Sequence, residues 1–269
     1  MLKKLFFLFI SLSFLKINAQ NEKVFNYKFT YKLTYQVNNK DINSKRSENM
    51  LLLRNNKFSV FLSEGTFIDD SLSLRQRKNE ISYDVKAPKT RFFYKILKDD
   101  NRDSITVYNE IFMDNYKYKE GKNKIRWKVT SDTSVINGLK CQKATTTFSG
   151  RFYEAWFTNE IPISDGPYKF SGLPGLIIKI SDSKNHYVFE LTKQSNVNRS
   201  YPNLKPIKNL YLTKKSIFFK KQKEFKDNIV TKMSQSGFTL DKKHEKRVKE
   251  RQKRRNNPIE LDEPWYLKQ

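Results

Sequence analysis

Histidine is nearly missing from this chain: His186 and His244 are the only two in 269 residues. A Ser-His-acid or Cys-His arrangement needs a histidine within reach of a nucleophile. His186 follows Asp182 by four residues, yet no G-x-S-x-G elbow accompanies it, and it reads as a surface strand residue. Cys141 is the sole cysteine, so no intrachain disulfide can form. It reads as a small buried hydrophobe, and together with the histidines it shows no metal-ligand spacing. Eight glycines leave little room for a phosphate-cradling loop. Glu154 and Glu160 supply a formal acid–base pair for a hydrolase, but nothing singles them out among 28 acidic residues. No catalytic residue, metal ligand or cofactor is assigned.

Acidic side chains are also in deficit, 28 against 53 lysines and arginines, for a formal charge of +25. Such a balance suits anionic surroundings: a phospholipid or lipopolysaccharide surface, an acidic glycan, or nucleic acid. No specific nucleic-acid reader is expected. The competing explanation is compositional, since Lys, Asn, Ile, Phe and Tyr are enriched together as AT-rich coding produces.

Long apolar runs are confined to the first residues. Lys3 and Lys4 precede an apolar stretch from Leu5 to Leu15, and Ala19 offers a small residue for cleavage. This layout predicts a secretory signal peptide over residues 1–19, with Gln20 opening the mature chain. No later segment approaches the ~20 apolar residues of a membrane-spanning helix. The expected location is the periplasm, the cell envelope or the extracellular space.

What the chain has in abundance is period-two patterning. Phe25, Tyr27, Phe29, Tyr31, Leu33, Tyr35 and Val37 alternate with polar residues, predicting one long strand with an aromatic face. Similar alternation marks Phe58–Leu62, Ile81–Val85, Ile125–Val129 and Tyr187–Leu191, with further strands at Met50–Arg54, Arg91–Leu97, Ser104–Phe112 and Lys143–Phe148. Short turn-rich links predict an antiparallel arrangement. No long amphipathic helix is expected before residue 198. The fold class is mainly β: a curved antiparallel sheet or partly open barrel with one or two C-terminal helices, and a β domain spanning residues 20–197.

Between two strands, Phe152–Phe157 and Leu176–Ile180, lies a kinked excursion marked by Trp156, Glu160, Pro162, Gly166, Pro167, Gly172, Leu173, Pro174, Gly175, Leu176 and Ile177. Pro174-Gly175 predicts a type II turn with a positive φ at the glycine. Gly172-Leu173-Pro174-Gly175-Leu176-Ile177 resembles the hexapeptide after which the GLPGLI family of Bacteroidota is named. The segments from Asn137 to Thr145, Ala155 to Phe170 and Arg255 to Leu261 are similar to that family as well. The resemblance implies a secreted or periplasmic protein of unknown role and carries no catalytic residues. The motif residues are therefore read as structural.

Beyond residue 197 come a proline-containing linker (Pro202, Pro206), an amphipathic helix with Phe218, Phe225, Ile229 and Met233 on one stripe, a basic run and an apolar tail. Thr213 is the expected cap of that helix and Gly237 its stop. Asp241–Arg255 holds nine basic and three acidic residues and reads as solvated or semi-ordered. Ile259, Leu261, Trp265, Tyr266 and Leu267 are expected to fold back on the β domain. Together these features predict an exported, non-catalytic binding protein holding a lipid or apolar ligand or an envelope partner. The alternative is electrostatic attachment to anionic glycan or membrane through Lys242–Arg255.

Overall fold

A computed structural model describes residues 24–122, 125–200 and 210–261. The proposed leader, the linker prolines and the Trp265–Leu267 tail lie outside the described residues. In chain order the strands and helices are β1 (Val24–Asn38), β2 (Asp41–Arg54), β3 (Phe58–Ser63), α1 (Glu64–Arg77), β4 (Lys95–Asp99), β5 (Ser104–Ile111), β6 (Asp114–Gly121), β7 (Lys128–Ile136), β8 (Leu139–Phe148), β9 (Arg151–Thr158), β10 (Leu176–Asp182), β11 (Tyr187–Ser200), β12 (Leu210–Leu212), α2 (Lys215–Asp227), α3 (Ile229–Gln235) and α4 (Lys242–Lys253).

The strands form one open sheet ordered β12-β6-β5-β4-β3-β2-β1-β11-β10-β9-β8-β7. Every pairing is antiparallel except β12 on β6. Twelve strands exceed what a twisted open sheet holds flat, and this one curls. Glu120 of β6 pairs with Lys169, while Trp127, next to β7, donates Nε1–H to the Ser171 carbonyl at 2.9 Å. Strands near opposite ends of the sheet thus reach the same short loop. Register shifts on β1, β7 and β10 mark the irregularities that such bending uses.

The concave face holds the main core. Phe29, Tyr31, Leu33 and Tyr35 of β1 point into it, as the alternation predicted. Phe25 departs from that series and joins Leu51, Leu53, Val60 and Leu62 in a second cluster on the other face. The departure coincides with the register shift between Phe25 and Tyr27. β2 and β3 are therefore apolar on both faces, and Phe67 of α1 packs on the second cluster.

α1 corrects the expectation that no helix interrupts the early strands. It starts directly after β3 because the Ser63 hydroxyl accepts from the Thr66 amide at 3.0 Å, satisfying a first-turn donor. The strand expected at Ile81–Val85 is absent. Those residues form turns and coil, with Tyr83 63% and Val85 48% exposed, since no neighbouring strand pairs their backbone. Ile125 and Trp127 pack against the core just before β7 begins.

The C-terminal elements join the same core. Phe218 of α2 is fully buried against Tyr116 and Tyr118, with ring centroids at 5.7 and 5.4 Å. The expected single helix breaks at Asn228 into α2 and α3, and its N-cap is Lys214, not Thr213, with no side-chain cap bond. Gly237, at φ 86°, follows the end of α3. The basic run is an ordered but exposed helix, α4, capped by Asp241, whose carboxylate accepts from the His244 amide at 2.7 Å. Among the described residues no helix is long and apolar enough to cross a membrane.

Candidate functional site

The excursion between β9 and β10 forms the floor of the concave face. Asp165 to Ser171 is buried throughout, a continuous loop segment placed where solvent would otherwise fill the curled sheet. Such a loop must satisfy its own polar groups. The Gly166 carbonyl accepts from Lys98 Nζ at 2.6 Å, the Ile177 amide donates to the Asp165 carbonyl at 3.0 Å, and the Tyr31 hydroxyl donates to the Ile177 carbonyl at 2.7 Å. Asp165 also pairs with Lys98 and with Arg54, the latter at 3.1 Å. Burial raises the Asp165 pKa, but Lys98 and Arg54 outweigh it and hold the carboxyl below its usual range.

The motif residues divide accordingly. Gly166, Pro167, Leu173, Gly175, Leu176 and Ile177 are buried, whereas Pro162, Gly172 and Pro174 are exposed. Trp156 packs partly buried against the core, under the Lys143 ammonium at 5.9 Å. Glu160 accepts from the Lys140 amide at 2.7 Å, and Glu154 pairs with Lys143 at 2.8 Å. The two carboxylates each hold their own partner and converge on nothing. The turn itself differs from expectation: the positive φ lies at Gly172, at 96°, and Gly175 has none. Position 175 needs glycine because a Cβ there would sit 1.9 Å from the Thr158 carbonyl oxygen. Cys141 is buried, and burial pushes its thiol pKa up. His186 is partly buried, its Nδ1 3.4 Å from Arg151.

A second buried element escaped the sequence reading in its detail. The strap after α4 threads into the concave face. Asn257 and Glu260 are buried, at 6% and 2% exposure. Arg151 holds the strap, donating to Asn257 Oδ1 and the Pro258 carbonyl at 2.6 Å each while pairing with Asp182 at 2.8 Å. Glu260 pairs with Lys169 at 2.5 Å and Lys215 at 2.6 Å and accepts from the Tyr168 hydroxyl. Burial alone would raise the Glu260 pKa, but the two lysines outweigh it and bring it down to about 2.

Between this strap, α2 and the sheet remains a cavity of about 290 Å³. Aromatic side chains from separate elements wall it: Tyr35 of β1, Tyr94 before β4, Tyr118 of β6, Tyr187 of β11 and Phe219 of α2. Tyr94 is 8% exposed, and its hydroxyl is buried with no hydrogen-bond partner among the described residues. Arg91, Lys226 and Arg255 line the same space, each half-buried. Burial, Arg91 and Arg255 push the Lys226 pKa down to about 8, and burial, Arg91 and Arg251 push that of Arg255 to about 10. A wider groove of about 900 Å³ borders α1, β4 and β5. Its central charges are already matched, with Lys95 Nζ on Asp70 at 2.6 Å.

Residues 148–179, the β9–β10 region, match a family model described as a protein of unknown function, Porph_ging. No curated protein matches the chain. Among solved structures, that of PNGF-II in space group P21 is similar at TM-score 0.51 and 16% identity, covering 74% of this chain and 33% of that one. The structure of PNGF-II in space group C2 is similar at TM-score 0.50 and 16% identity, with coverages of 74% and 32%. The chain spans about a third of PNGF-II, and at this identity the likeness bears on the fold alone.

Proposed function

We propose that this chain is an exported, non-catalytic binding protein whose concave-face cavity holds a small, largely apolar ligand. Tyr94 carries the reading. A buried hydroxyl without a partner costs about 1–3 kcal/mol, and the Tyr94 side chain that carries it lines an aromatic-walled space reached from β1, β6, β11, α2 and the segment before β4. Placing a ligand acceptor beside it removes that cost. The volume, about 290 Å³, lies at the lower edge of small-molecule sites. It suits a compact ligand better than a two-chain lipid, because the loop Asp165–Ser171 and Phe218 already fill the rest of the concave face.

Export to the periplasm or envelope rests on the charged and apolar layout of residues 1–19. Membership of the GLPGLI family is supported by the hexapeptide Gly172–Ile177, which falls inside the matched region 148–179. Native mass spectrometry of protein taken gently from its own cells tests the binding reading. A single added mass of small-molecule size is expected, released on unfolding. A bare chain in every preparation would refute it. N-terminal sequencing of the same material should begin at Gln20, and an intact Met1 terminus would refute export.

A second reading has its own observation. α4 is ordered, exposed and basic, with seven lysines and arginines against two glutamates and no buried residue. It would attach the protein to anionic glycan or headgroups. Replacing Lys242, Lys243, Lys246 and Lys249 by Gln should then weaken binding to vesicles containing phosphatidylglycerol and flatten its salt dependence. Unchanged vesicle binding would dispose of it.

A further inference from the structure

We propose that the apolar side chains exposed around the start of α2 and the β5–β6 turn form a docking surface for an anionic phospholipid bilayer, into which they insert while the lysines between them meet the headgroups. This surface is distinct from the ligand cavity, and unlike α4 it presents large apolar groups as well as charge.

Five large apolar side chains stand exposed here: Met113 in the β5–β6 turn, Tyr211 and Leu212 of β12, Ile217 in the first turn of α2, and Phe238 just after α3. Met113 and Leu212 are the most open of them, at 65% and 77% exposure. Ring contacts tie together the elements that carry them. Tyr211 sits opposite Tyr116 of β6, with ring centroids 5.4 Å apart, and Phe218, the neighbour of Ile217, closes on the same Tyr116. Phe112, the neighbour of Met113, stacks on Phe225 of α2 at 5.3 Å and meets Phe238 edge-on at 5.4 Å. Ile217 and Lys221 are four residues apart and share a face of α2. Lys221 in turn lines a hollow of about 220 Å³ with Met113 and Lys232. The exposed groups therefore gather at one edge of the sheet. Apolar residues scattered singly over a surface carry no meaning, whereas a gathered set marks a contact.

Charge selects the occupant. Lys214, Lys220, Lys221 and Lys232 are exposed among these side chains, and among the described residues none of the four pairs with an acid. Asp114 and Glu224 are the acids lining the same hollow, and Lys223 and Asp227 neutralise each other at 2.6 Å, so the surface stays positive. A protein partner suits it poorly, because lysine is depleted at protein interfaces and the apolar groups project from four separate elements. A bilayer needs no matching shape. Its acyl boundary takes apolar tips, tyrosine sits at headgroup level, and lysines reach anionic headgroups on their flexible stems.

The test is sedimentation of the chain from Gln20 onward, which holds every described residue, with vesicles of phosphatidylcholine alone or mixed with phosphatidylglycerol. The parent should bind the mixed vesicles and not the neutral ones. A triple variant, Met113→Gln with Leu212→Gln and Ile217→Gln, should bind at least tenfold more weakly, a difference of about 1.4 kcal/mol. It should melt at the parent's temperature, because all three side chains are exposed. Lys220→Gln with Lys221→Gln should weaken binding and reduce its salt dependence. A nitrobenzoxadiazole probe on Met113→Cys should shift to the blue on mixed vesicles, while the same probe on Ile42→Cys, at the start of β2, should not move. Undiminished binding by the triple variant, or a probe at 113 that stays in water on the bound protein, would overturn the proposal and leave attachment through α4 standing. No vesicle binding by the parent would overturn the proposal and the headgroup reading of α4 alike. A parent dimer that the triple variant abolishes would assign the surface to a second copy, and a triple variant melting clearly below the parent would show the chain covering that surface itself; either result overturns the proposal.

Discussion

Replacing Glu260 by Gln should remove a large part of this protein's stability, and the loss should depend on pH in a defined way. The Glu260 carboxylate is 2% exposed and pairs with Lys169, 1% exposed at its side chain, and with Lys215. Glutamine keeps the shape and removes the charge. Lys169 retains Glu120 as a partner, but its second counter-ion is gone. Breaking one member of a buried ion network costs about 3–5 kcal/mol. The titration gives a similar figure. The pKa falls from 4.5 to about 2, and a shift of that size corresponds to about 3 kcal/mol. Because the folded pKa is depressed, this stabilisation is fully present above about pH 4.5 and is lost as pH falls toward about 2. At pH 3.5, one unit below the unfolded value, the advantage of the parent over the variant should already have narrowed by about 1.4 kcal/mol. Urea unfolding at pH 7 and pH 3.5, followed by tyrosine fluorescence, reads both quantities. A loss below about 1 kcal/mol at pH 7, or a difference that does not narrow at pH 3.5, would refute the role given to the strap.

A further outcome follows from the same structure. Gly175→Ala should cost about 3 kcal/mol or more, because its Cβ would meet a backbone carbonyl at 1.9 Å, whereas Gly138→Ala, at φ 79° in open space, should cost only about 1 kcal/mol. Equal melting temperatures for the two variants would contradict the close approach at position 175.

Much of the sheet was legible because burial on one face leaves a period-two trace. Phe29, Tyr31, Leu33 and Tyr35 show it plainly and are all in the core. Where the other face is also covered, as at Met50–Leu53 under α1, alternation vanishes and only an apolar run remains. The first half of β2, Asp41–Asn49, carries almost no apolar signal and is a strand because β1 pairs with it. α1 was missed for a related reason: its one strong contact to the second cluster is Phe67, too little for a stripe, and the Ser63 cap is a single hydroxyl. The apparent strand at Ile81–Val85 had the pattern without a partner.

The cavity was hardly legible at all. Its aromatic wall was anticipated on β1, but its cations come from positions 91, 226 and 255, and no local spacing relates them. The buried charges were equally hidden. Glu260 finds Lys169 across 91 residues, and Lys98 finds Gly166 across 68, so neither leaves a short-range motif. At the corner, the positive φ expected at Gly175 is not found. Steric room beside Thr158, rather than a left-handed φ, requires the glycine at 175.

The most direct measurement on the central claim fills the cavity. Val107 lines it from β5 and is 2% exposed. If the space beside it is open, Val107→Phe should leave stability within about 1 kcal/mol of the parent and abolish the small-molecule adduct seen by native mass spectrometry. A well-packed interior would instead be overfilled, at about 1–3 kcal/mol. A destabilised variant that still carries the parent's adduct would contradict a ligand cavity on the concave face.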